Sequence, residues 1–259
     1  MLKKLLLLVA LIAFFSGVYA AAFLVSPVQR EITDNGITEI GSVSPGETAE
    51  LFFRKKSGEG FDWQSISIDD ATLPDGWEFS STANADSISL RLFVPADAAE
   101  STQLLGFRLE SDGRNLPFTG KFFVKRNLLA MAIPDLNRKS VVGEKVPFRL
   151  VAVNDSIAMQ RVSVSSTLPD YWMKPKTFEI GPKESKELAF DILPRTYGER
   201  NFKFSAKSDF GSARRDFSAR LVVSPTLQSK FSAPIFGFPF FSPTTLLPYA
   251  VNSVLSLIS

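Results

Sequence analysis

The sequence predicts an all-β protein built from two tandem antiparallel β-sandwiches. Three observations lead there: a self-similarity that repeats after about 97 residues, short runs of alternating apolar and polar residues in each copy, and the absence of a long amphipathic helix from either copy. At 259 residues the chain has room for one large domain or two of about 100 residues each, and the repeat selects two.

In the first copy, Ser42-Val43-Ser44-Pro45-Gly46-Glu47 leads into Ala49-Glu50-Leu51-Phe52-Phe53. In the second, Ser140-Val141-Val142-Gly143-Glu144 leads into Val146-Pro147-Phe148-Arg149-Leu150. Gln64 to Ile68 then matches Gln160 to Val164, and Leu73-Pro74-Asp75-Gly76-Trp77 matches Leu168-Pro169-Asp170-Tyr171-Trp172. An alternating strand, Ile88 to Pro95, answers Glu187 to Pro194, and such alternation puts one face on a core and the other in water. A penultimate strand and turn follow at Gly106 to Gly113 and at Lys203 to Gly211, with last strands at Gly120 to Lys125 and Ala219 to Ser224. Each copy thus holds about seven short strands punctuated by turn residues, the pattern of an immunoglobulin-like sandwich. Asp34-Asn35-Gly36 and Ser111-Asp112-Gly113 are predicted tight hairpin turns. The expected divisions are 1–20, 22–126, 127–226 and 231–259, with a short linker near Arg126-Asn127 that makes the pair semi-rigid.

Pro45-Gly46-Glu47, Leu73 to Trp77 and Val94-Pro95-Ala96-Asp97-Ala98 together resemble the immunoglobulin-like modules of the NEW3 and CARDB type. The second copy departs from these motifs, with no proline before Gly143, Tyr171 in place of glycine and Leu193-Pro194-Arg195 in place of Val-Pro-Ala. The resemblance implies a prokaryotic extracellular sandwich used as spacer, scaffold or binding module. Its motifs are structural and bring no activity with them.

The ends are apolar. Met1-Leu2-Lys3-Lys4, the apolar run Leu5 to Phe15 and Ser16 to Ala21 have the form of a secretory signal peptide, cut after Ala20. Because Ala21 to Val25 continue the apolar character, the rival reading is an uncleaved anchor helix. At the other end no charged residue follows Lys230 through Ser259. Prolines 234, 239 and 243 oppose a helix in its first part, whereas Thr244 to Ser259 suits one of about four turns. Three readings stay open for this segment: a membrane anchor, a docking segment for a membrane partner, or a disordered tail. Its expected membrane or partner contacts are Phe236, Phe238, Phe240, Phe241, Leu246, Leu247, Tyr249, Val254, Leu255 and Leu257. The expected address is the extracellular face of the membrane or the cell envelope.

Composition narrows the chemistry. The chain has no Cys and no His, which removes disulfides, thiolate catalysis, sulfur-ligated metals and imidazole acid–base work. The formal charge of +2 falls to zero once Lys3 and Lys4 are cut away, so no electrostatic footprint for nucleic acid remains. Asp69-Asp70 beside Asp62 is the densest acidic cluster, but its equivalents are Ser165-Ser166, and a water-facing strand end is the preferred reading over calcium. Trp63, Trp77, Tyr171 and Trp172 are weighed as a sugar platform. Trp77 and Trp172 share one repeat position and read as framework; Trp63, aligned with Met159, also reads as buried or half-buried, with ligand contact as the lesser alternative. Asn154-Asp155-Ser156 is a glycosylation candidate in a predicted loop. No cofactor and no catalytic constellation is expected. The reading is a non-enzymatic structural or adhesive envelope protein, with an accessory protein that binds a surface glycan or another envelope protein as the alternative.

Overall fold

The structure is a computed structural model that describes residues 22–55, 62–84, 87–111, 113–210 and 213–226, together with Val251 and Val254. In the first half the strands are β1 (Ala22–Ser26), β2 (Arg30–Ile32), β3 (Ile37–Val43), β4 (Thr48–Lys55), β5 (Ser65–Ile68), β6 (Glu78–Ala83), β7 (Ile88–Phe93), β8 (Ser101–Ser111) and β9 (Arg114–Val124). The second half contains β10 (Leu129–Ala132), β11 (Asn137–Val141), β12 (Val146–Asn154), β13 (Gln160–Ser166), β14 (Lys176–Ile180), β15 (Ser185–Ile192), β16 (Gly198–Ser208) and β17 (Arg214–Ser224). Between Ala22 and Thr226 every described element is a strand, as the all-β expectation requires.

The strands form four sheets. Two of them, β2-β1-β4-β7-β6 and β3-β9-β8-β5, enclose the core of the first half. The other two, β10-β12-β15 and β11-β17-β16-β13-β14, enclose that of the second. In each half the first strands divide between the sheets, and β3 and β11 run parallel to the last strands, β9 and β17. All other strand pairs are antiparallel. This arrangement of two sheets with crossed-over connections is the immunoglobulin-like sandwich.

Period-two patterning builds the cores. β4 buries Ala49, Leu51 and Phe53, and its equivalent β12 buries Val146, Phe148 and Leu150. Facing them in the second half, Phe204 packs 4.9 Å from Phe148 and 5.1 Å from Phe190, in tilted edge contacts that suit aromatic quadrupoles. Phe107 and Phe118 stack at 5.0 Å in the first. The many phenylalanines therefore supply core area in a chain that has no disulfide to restrict its unfolded state.

Two turn readings part company. Ser111 lies opposite Arg114, so the turn around Gly113 is the predicted hairpin between β8 and β9. Asn35-Gly36 is not a hairpin: it carries the chain from β2 in one sheet to β3 in the other, and Asn35 N–H bonds the carbonyl of Pro117. The repeat also shifts register late in each copy. Leu51 pairs with Leu90 and its equivalent Phe148 with Phe190, so Val94, not Pro95, corresponds to Pro194. Burial overrides the match between the prolines, because a slip of one residue would turn every apolar side chain outward.

Candidate functional site

The most elaborate polar site lies where the two halves meet. Pro45-Gly46 makes a tight turn, with Gly46 at a φ of 84° that favours glycine, and the turn is held by Gly46 N–H to Val94 O at 2.9 Å. It delivers the side chain of Glu47 inward, where the residue is 2 % exposed. One carboxylate oxygen accepts the Ser44 N–H at 2.9 Å and the hydroxyl of Ser156; the other accepts the side-chain amide of Gln160. Gln160 in turn accepts the hydroxyl of Ser208 at 2.8 Å. The donors are neutral, so Glu47 is solvated by placed dipoles rather than by a counter-ion.

Residues 154–160 form the other side of this junction. Asn154 Oδ1 accepts the N–H of Ser156 at 3.0 Å, and its amide nitrogen donates to the carbonyls of Ala158 and Gly181, both at 2.8 Å. The loop so shaped bonds Ile157 N–H to Ser42 O at 2.8 Å and bridges Ala158 to Ala49 of β4. Ile157 is fully buried and packs within the first half's core, although it belongs by sequence to the second. Gly41 makes room for it. A Cβ there would sit 2.5 Å from Ile157 Cγ2, and the φ of +138° at a bulge in β3 independently favours glycine. The connecting residues are also tied, Lys125 N–H to Val43 O at 3.0 Å and Arg126 N–H to Glu100 Oε1 at 2.7 Å. Beside Glu47, a cavity of about 280 Å3 opens between Arg126, Asn127, Gln160 and Phe210.

The residues singled out by sequence fall elsewhere or play other parts. Trp63 is 5 % exposed and lies in the first core, with Trp77 buried in the same core and Trp172 in that of the second half. Their side chains are not disposed as a surface platform; Tyr171 is the exposed member of that set, at 63 %. Asn154 corrects the expectation of an accessible loop. It ends β12, is 1 % exposed and has both amide hydrogens engaged, so a glycan on that nitrogen conflicts with the folded junction. Asp69 closes a local turn by accepting Ala71 N–H, and Asp62 pairs with Lys55 at 2.6 Å. Among the described residues no group of three metal-ligating side chains converges.

Residues 1–20, with the signal-peptide reading, lie outside the described residues, as do Phe236, Phe238, Phe240, Phe241, Leu246, Leu247, Tyr249, Leu255 and Leu257. Val254 is helical and 48 % exposed. No helix of the described residues is long and apolar enough to cross a membrane.

Sequence reasoning placed Glu47 in a turn motif and missed the clamp it forms. Its signal was weak, because Gly-Glu occurs in the same place in both copies.

No protein-family model matches the chain, and no curated protein matches it significantly. Among solved structures it is similar to a chimeric titin Z1Z2 functionalized with a decorin peptide, at 13 % identity and a TM-score of 0.41, over 80 % of this chain and 98 % of that one. It is also similar to the D00-D0 domain of intimin, at 13 % identity and a TM-score of 0.27, over 78 % of this chain and 99 % of the other. An endo-fucoidan hydrolase of glycoside hydrolase family 107 is matched at 14 % identity and a TM-score of 0.33; 77 % of this chain is covered, but only 32 % of the enzyme. At these scores no activity, partner or location passes from them to this chain.

Proposed function

We propose that this chain is a non-enzymatic structural or adhesive protein of the prokaryotic cell envelope, in which two tandem immunoglobulin-like modules of the NEW3/CARDB type act as a stiff spacer and contact surface. The junction carries this reading. A buried carboxylate bonded from three positions, a side chain of one half set into the core of the other, and a pinned connection all suit a body that must hold its two ends in a fixed relation. Export through the basic and apolar N-terminus brings the modules to the outer face of the membrane, and the uncharged segment after Lys230 holds them there or docks to a membrane partner. Catalysis has no imidazole or thiol to draw on.

The test is fractionation of cells that make the full chain, with protease added outside. The modules are expected in the envelope fraction and open to the protease; recovery in the cytoplasm overturns the proposal. Specific, saturable binding on a glycan array would replace the spacer reading by the ligand-binding one.

A further inference from the structure

Among the described residues, the second half leaves one sheet edge without a strand that the first half has. β7 is bordered by β6, with Glu78 opposite Phe93 and Phe79 opposite Leu92, and Phe79 packs against the core. Its equivalent β15 ends its sheet among the described residues. The pairing begins alike, with Leu193 N–H donating to Trp172 O at 2.8 Å. It then stops, because the chain reaches Pro175, which has no N–H for a ladder, and crosses to pair β14 with β13. Backbone groups alternate in direction along an antiparallel strand, so Asp191, Ala189 and Glu187 present their N–H and C=O to the same edge as Leu193. Such an edge is a template for one more strand.

The position and sequence of the chain's own continuation fit that place. One turn ties the ends of β15 and β17 together, with Gly143 N–H bonded to Pro194 O at 2.8 Å and Val142 N–H to Ser224 O at 3.1 Å. The chain continues for 33 residues after Thr226, from the Ile192 end of β15, so a strand laid along the edge from there runs antiparallel, as β6 does on β7. Within it, Lys230-Phe231-Ser232-Ala233 repeats the order of Glu78-Phe79-Ser80-Ser81 in β6: a charge, phenylalanine, serine and a small residue. Alternation puts Phe231 and Ala233 on one face and Lys230 and Ser232 on the other. The exposed face of β15 carries Asp191, which complements Lys230; Glu187 on the same face is paired with Arg149 at 3.0 Å. We propose that the segment Lys230 to Ala233 adds to β15 as an antiparallel strand, taking in the second half the place of β6 in the first.

The chain has no native cysteine, so an introduced pair reports on this contact alone. In the full chain, held in detergent micelles, Ala189→Cys is combined in turn with Lys230→Cys, Phe231→Cys and Ser232→Cys. An intramolecular disulfide is expected with Lys230→Cys or Ser232→Cys, at least about tenfold faster than with Phe231→Cys, whose side chain faces the core. Failure of every pair to close, equal rates for all three, or covalent dimers in place of the internal bond overturn the proposal, the dimers by showing that a second copy occupies the edge. Independently, Phe231→Asp is expected to speed amide exchange at Ala189 and Asp191 by about tenfold or more and to leave Phe190, which faces β12, unchanged. Equal exchange in the two proteins also overturns it.

Discussion

The two halves carry the same turn and put it to different uses. Gly46 and Gly143 have φ values of 84° and 85°, and both donate to the carbonyl at the end of the equivalent strand, Val94 or Pro194. Yet Glu47 is buried under the loop of the next half, while Glu144, one position past Gly143, is exposed. The turn itself dictates neither outcome. What differs is the neighbour: the first turn is followed in space by Ser156, Ile157 and Gln160, which supply the donors and the apolar contact that make a buried carboxylate tolerable. A conserved geometry thus becomes a joint only when a second sheet pair arrives with matching groups.

Substitutions that erase this difference should rank by what they leave unpaired. Glu47→Ala strips the acceptor from three buried donors and is expected to cost about 4 kcal/mol, whereas Glu144→Ala should stay within about 0.5 kcal/mol. Denaturant midpoints of the two variants measure the contrast, and equal shifts would break it. Ile157→Ala opens a void at a fully buried site and is expected to cost about 3 kcal/mol, read in the same way. Because Ile157 sits in the first core, probes in both halves should move together. Asn154→Ala removes two donors and one acceptor and should cost about 2 kcal/mol; the mass of the native protein is expected to show no glycan at this position.

The smallest effect lies far from the joint. Asp216 accepts from Ser205 and from Arg214, which hold its carboxyl below the usual carboxylate range. Its pKa is lowered on folding, so its contribution is present above the unfolded value and disappears as pH falls through the folded one. Asp216→Asn should therefore be slightly less stable than wild type near neutrality, and the gap should close as pH falls through the lowered pKa. The side chain is solvated, so the effect is slight. Urea melts at a series of pH values follow it.

Much of the fold was readable because alternation and turn chemistry are local. Phe53, Phe148 and Phe190 announce their burial through neighbours two residues away, and Leu-Pro-Asp before Trp77 and Trp172 marks one turn twice. The joint was not readable, since Glu47 meets Gln160 across 113 positions and no local pattern records that pairing. Asn154 misled for a related reason. Its sequon is a surface signal by composition, but three hydrogen bonds from distant and local backbone make it a buried brace. The departure of β14 from the place of β6 had a local mark in Pro175, whose consequence depends on which strand lies next to it.

The parallel pairing of β3 with β9 and of β11 with β17 bears on how the molecule carries load. If a half is pulled by its two ends, then once β1 and β2, or β10, have peeled away, tension enters at the start of β3 or β11 and leaves at the end of β9 or β17, and these strands lie side by side. The hydrogen bonds between Ile37–Val43 and residues 119–124 then run across the pull and must yield as a group, rather than open one after another like a zipper. Resistance of that kind is set by the rate of rupture and not by the equilibrium between folded and unfolded forms. Strands paired this way withstand brief tugging beyond what the marginal stability usual for a folded domain suggests.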